Sequence, residues 1–76
     1  MESENIDINK IGNQVMQELR EVLKEKYPRL RSYLQNNNPD LVKLYDYYYE
    51  KAMESPWQIA VEYTYRILRL YAQVKP

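Results

Sequence analysis

Seventy-six residues give room for one helical domain spanning 1–76 and none for a second domain or a large internal cavity. Eleven Lys and Arg offset eleven Asp and Glu, so no global field concentrates the chain on nucleic acid or an anionic membrane, and any such contact must be local. The absence of histidine and cysteine excludes disulfide staples, thiol redox chemistry, histidine-based zinc sites and the Ser-His-Asp and Cys-His arrangements, and with them most hydrolytic mechanisms.

The N-terminal residues 1–5 are acidic and polar, and are expected to be disordered. No apolar stretch of signal-peptide length follows, and no segment approaches the roughly 20 apolar residues that span a bilayer. Together with the lack of cysteine this points to a cytoplasmic protein with no membrane partner.

From Asp7 to about Lys26, Ile8, Ile11, Val15, Leu19, Val22 and Leu23 recur at three- and four-residue spacing, the period of one helical face. They occupy a sector of roughly 140° at about 100° per residue, opposite Asn9, Lys10, Asn13, Gln17, Arg20, Glu21 and Lys24. The first helix is therefore amphipathic over 7–26, with Asp7 or Asn5 able to accept from the orphan amides of its first turn.

Pro28 disfavours helical geometry at Tyr27 and is well suited to a first turn, which predicts a break and a short second helix over 29–36 with Leu30, Tyr33 and Leu34 as its stripe. The run Asn36-Asn37-Asn38 then makes a turn, with Asn38 as N-cap, Pro39 at the first helical position and Asp40 near the positive terminus of the next helix.

That third segment, 39–54, places Leu41, Leu44, Tyr45, Tyr48 and Ala52 on one face and Val42, Tyr49 and Met53 on a second, flanking stripe. Ser55-Pro56-Trp57-Gln58 reads as a capping box opening the last helix, 56–74. Only a strip of Gln58, Glu62, Tyr65, Arg66, Arg69 and Gln73 is polar there; apolar residues cover the other roughly 200°, more than a peripheral helix needs. The fold expected is thus all-α: a compact bundle of three long helices, over 7–26, 39–54 and 56–74, with one short helix over 29–36.

Sites follow by elimination. Gly12 alone cannot build a glycine-rich phosphate loop, so neither a nucleotide cofactor nor any other is expected, and no small-molecule substrate. Asp46, Glu50 and Glu54 at four-residue spacing read as a solvated helix face offset by Lys43 and Lys51, which gives no catalytic carboxylate pair and no metal site.

A core this small supplies only about 3–5 kcal/mol of net stability, and the chain carries more apolar helix surface than it can bury. The reading favoured is a non-enzymatic interaction module, a homodimer or an accessory subunit of a larger assembly. Its interface would hold Val42, Tyr49 and Met53 with Ile59, Tyr63 and Leu70 of the last helix. The alternative is a small nucleic-acid-binding or regulatory protein that touches phosphates through Arg20, Lys24, Lys26, Arg29 and Arg31, joined by Arg66 and Arg69. A helix-turn-helix is disfavoured because the helix after the Asn turn begins at Asp40 and is acidic.

Overall fold

The computed structural model describes residues 6–75, so the expectations for residues 1–5, including a cap from Asn5, lie outside the described residues. Among the described residues there are three α-helices and no strand. These are α1 (Ile8–Asn37), α2 (Val42–Glu54), entered through a 3-10 turn at Pro39–Leu41, and α3 (Trp57–Val74).

The largest departure from the sequence expectation is α1, which runs unbroken through Pro28 for 30 residues. A proline inside a helix removes one hydrogen bond and costs about 3 kcal/mol. Here Pro28 and Lys24, whose carbonyl loses its donor, both face solvent, so water can satisfy that carbonyl. Leu23, Tyr27, Leu30 and Leu34 lie on either side at four-, three- and four-residue spacing, and all four are buried. Each is worth roughly 1.5–3 kcal/mol on burial, so keeping the stripe in phase outweighs the lost bond. The expected helices over 7–26 and 29–36 are therefore one element.

Local chemistry closes the ends of α1 much as its polar residues suggest. The Lys10 N–H donates to Asp7 Oδ1 at 3.1 Å, making Asp7 the N-cap. At the other end Asn37 Nδ2 donates to the Tyr33 carbonyl at 2.9 Å and the Asn38 N–H to that of Leu34 at 2.7 Å. Asn38 does stand where the 3-10 turn begins, with Pro39 next, but its side chain makes no capping bond.

The capping box at Ser55 does not form either. Pro56 occupies the N-cap position, and its carbonyl accepts from the Ile59 and Ala60 amides at 3.0 and 2.8 Å. Gln58 reaches across to Asn9 Oδ1 at 3.3 Å instead of back to Ser55. The α2–α3 reversal is held from outside, by Arg20 of α1. Its Nε donates to the Ala52 carbonyl at 2.9 Å and its Nη2 to the Ser55 carbonyl at 2.7 Å, placing a cation at the negative terminus of α2.

Cross-contacts give the topology. Asp46 meets Tyr27 and Arg31, and Ser55 meets Arg20, so α2 descends antiparallel to α1. Trp57 lies on Gly12, and Lys26 covers the Tyr71 ring at 5.2 Å, so α3 ascends parallel to α1. The molecule measures 55 × 20 × 16 Å, a rod whose length is set by α1.

The core lies along the middle and upper part of this rod, where Leu23, Tyr27, Leu30 and Leu34 meet Val42 and Ala52 of α2 and Ile67 of α3. Because α2 sits in the angle between its neighbours, both of its apolar stripes turn inward. Val42 is buried and Tyr49 stacks on Tyr27, with ring centroids 4.6 Å apart and planes inclined by 12°. Leu44, expected on the main apolar face, is displaced to its edge and is exposed.

At the lower end Met16 and Ala60 are buried beside Thr64, whose hydroxyl lies 4.0 Å from Met16 Sδ. Gly12 sits under the Trp57 indole so closely that any Cβ built there would collide with the ring. The glycine lets the aromatic anchor rest on helix backbone, and Trp57 Nε1 donates to Asn9 Oδ1 at 3.2 Å.

Candidate protein interface

The residues marked from the sequence as an interface are mostly used inside the fold. Val42 is buried; Tyr49, Met53, Tyr63 and Leu70 are half-buried, and Tyr49, Tyr63 and Leu70 pack against the core. Tyr63 stands 5.5 Å from Tyr48 and 6.1 Å from Tyr47, centroid to centroid. Only Ile59 of the six is exposed.

The basic residues are likewise dispersed among internal roles. Arg20 is committed to the carbonyls at the end of α2. Arg31 grips Asp46, with Nε 3.0 Å from Oδ1 and Nη2 3.1 Å from Oδ2, while the Tyr27 hydroxyl donates to the same Oδ1 at 2.7 Å. Lys24 pairs with Glu21 at 3.4 Å and Lys26 covers Tyr71. Arg66 lies 5.4 and 5.3 Å from the Tyr48 and Tyr63 ring centres and 3.8 Å from Glu62. Arg29 and Arg69 are exposed on different helices.

The Asp46 contacts also correct its reading as part of a solvated acidic face with Glu50 and Glu54. Hydrogen bonds from Arg31 hold the Asp46 carboxyl below its ordinary range; partial burial opposes this, and the Tyr27 hydroxyl bond adds to it. Burial first, and then donation to Asp46, pushes the Tyr27 hydroxyl upward. Among the described residues no group of three or more carboxylates converges on one point.

What remains open is a different surface, the face of the α1/α3 pair turned away from α2, which runs on below the end of α2. Ile8, Ile11 and Val15 of α1 and Val61 and Tyr65 of α3 are 61, 46, 47, 38 and 62% exposed. Two recesses follow one another along the α1/α3 seam. The lower, of about 190 Å3, is walled by Ile11, Val15, Trp57 and Val61, with Gly12 on its floor. The upper, of about 390 Å3, is lined by Leu19, Val61, Thr64, Tyr65 and Leu68, with Arg69 on its rim. Val61 is common to both, so the apolar strip is continuous.

No carboxylate lines either recess, and the lining is apolar apart from Gly12, Thr64, the Tyr65 hydroxyl and Arg69. In the sequence Ile8, Ile11, Val15 and Leu19 form the apolar face of the first helix, and none of them is among the expected interface residues. The available signal was the 140° width of that stripe on a helix that turns out longer than its neighbours. Reading Pro28 as a break hid it. Comparison with known proteins finds no matching family, no matching curated protein and no matching solved structure.

Proposed function

We propose that the chain is a non-enzymatic helical interaction module that receives another protein surface on the α1/α3 strip. The observation that carries this reading is the continuous exposure of Ile8, Ile11, Val15, Val61 and Tyr65 on two packed helices. A solvated apolar strip of this kind is unfavourable by roughly 25 cal/mol per Å2 until something covers it. Two parallel helices flanking a seam offer a partner helix the groove-and-ridge geometry by which amphipathic helices dock.

The basic side chains lend less support to nucleic-acid binding, since Arg20 and Arg31 already hold the fold together and carboxylates accompany Lys24 and Arg66. Membrane insertion has no matching feature: among the described residues no helix is long and apolar enough to cross a bilayer.

Site-specific photocrosslinking tests the reading. A benzophenone side chain at Ile11 or Tyr65 is expected to form covalent adducts with a protein, in the purified sample or in extract, while the same probe at exposed Asn36 forms none. Absence of any protein adduct from both strip positions would remove the proposal.

A further inference from the structure

We infer that the occupant of the α1/α3 strip is a second copy of this chain, related by a two-fold axis parallel to the helices, so that α1 of each copy lies against α3 of the other. The inference rests on the interaction reading and adds the partner and the geometry.

Area is the first argument. The exposed parts of Ile8, Ile11, Val15, Val61 and Tyr65 amount to roughly 450 Å2, over half of the about 800 Å2 per partner of a standard interface, and half-buried Leu19, Val22 and Leu68 adjoin them.

Height is the second argument. The Trp57 contact with Gly12 and the Lys26 contact with Tyr71 place α1 and α3 in near-constant register from bottom to top. A two-fold parallel to the helices keeps these levels, so Val15 and Leu19 of one copy stand opposite Val61 and Tyr65 of the other, and a layer of four helices closes.

Charge selects this arrangement over the antiparallel one. Glu18 and Glu25 each follow an apolar stripe residue, Val15 and Val22, by three positions, which turns them about 60° further from the core onto the outer rim of α1. Arg69 borders the upper recess on the outer rim of α3, at a height between the two carboxylates. In the parallel two-fold each Arg69 stands level with the partner's Glu25, twice per dimer, while Glu62, paired with Arg66 at 3.8 Å, lies near the level of the partner's Glu18. The antiparallel two-fold sets carboxylates against carboxylates and arginine against arginine. The chain carries no net charge, so no global repulsion opposes pairing of copies.

Sedimentation equilibrium on the full chain is expected to give twice the 9.3 kDa chain mass. Arg69→Glu should weaken the dimer by roughly fivefold to tenfold, and adding Glu18→Lys with Glu25→Lys should restore it to within about threefold. Circular dichroism checks that each variant is folded. Should a charge variant unfold, the cysteine-free chain permits a second readout: Glu25→Cys mixed with Arg69→Cys gives a disulfide-linked heterodimer on oxidation. A folded monomer at high micromolar concentration overturns the second copy as occupant, while crosslinks to a different protein would leave the interaction reading standing. A dimer unaffected by the charge changes, with no linkage between the cysteine pair, overturns the parallel arrangement alone.

Discussion

Replacing Gly12 with alanine sets helix propensity against close packing. In an exposed helix interior the change stabilises by about 1 kcal/mol, because glycine loses more backbone entropy on folding. At this position the added methyl meets the Trp57 indole, with Cε3 at 2.7 Å and Cδ2 and Cε2 closer still. These atoms belong to the rigid body of the ring, so the clash is relieved only if the start of α3 moves off α1. That movement strains the Trp57–Asn9 hydrogen bond of 3.2 Å. Overpacking of this type costs about 1–3 kcal/mol, and contact with several ring atoms at once places it near the upper end. After the propensity gain, the net expectation is destabilisation by about 2 kcal/mol, or a Tm lower by roughly 8–16 °C for a domain of this size. Urea unfolding followed by circular dichroism measures it. In a Trp57→Val background, where the space is vacant, the same Gly12→Ala change should stabilise by about 1 kcal/mol, and the reversal of sign isolates the contact. A stabilised Gly12→Ala single variant would refute the packing argument.

Two further outcomes bear on the parts of the fold where local and tertiary preferences disagree. Pro28→Ala restores the missing donor to the Lys24 carbonyl within a continuous helix and should stabilise by about 1–3 kcal/mol, less a few tenths returned through the freer unfolded chain. Unchanged or reduced stability in urea would argue for two helices at that point. Asp46 has a lower pKa folded than unfolded, so the unfolded chain takes up its proton first as pH falls. The stability this group contributes is complete above its ordinary range near 4 and is lost as pH drops through the lower folded value. The advantage of wild type over Asp46→Asn in urea should therefore be present at pH 7 and shrink by pH 3; an advantage constant with pH contradicts the assignment.

Much of the fold is legible from residue order because helices are local. The apolar period, Asp7, Pro39 and Pro56 mark where helical hydrogen bonding begins, and the observed α2 and α3 lie within a few residues of the segments expected. Pro28 departs from the local expectation for the opposite reason. Its cost of about 3 kcal/mol is a local quantity, whereas the burial of Leu23, Tyr27, Leu30 and Leu34 that outweighs it exists only once other helices are present. Ser55 shows a related competition: its N–H donates to the Lys51 carbonyl at the end of α2, and Gln58, the other half of the local capping box, reaches Asn9, 49 residues earlier in the chain.

The sequence by itself determined that this protein is helical, that its chemistry excludes thiol and imidazole mechanisms, and that its apolar surface exceeds what so short a chain buries. It could not say which surface would be left over. That depends on relative length and registry. With α1 unbroken, α2 ends opposite Arg20, and the turns of α1 below it meet α3 alone. The stripe of Val42 and Tyr49 then becomes core, while Ile8, Ile11 and Val15 remain in solvent. Burial is settled by which neighbours reach a residue, and only the tertiary arrangement of three unequal helices decides that.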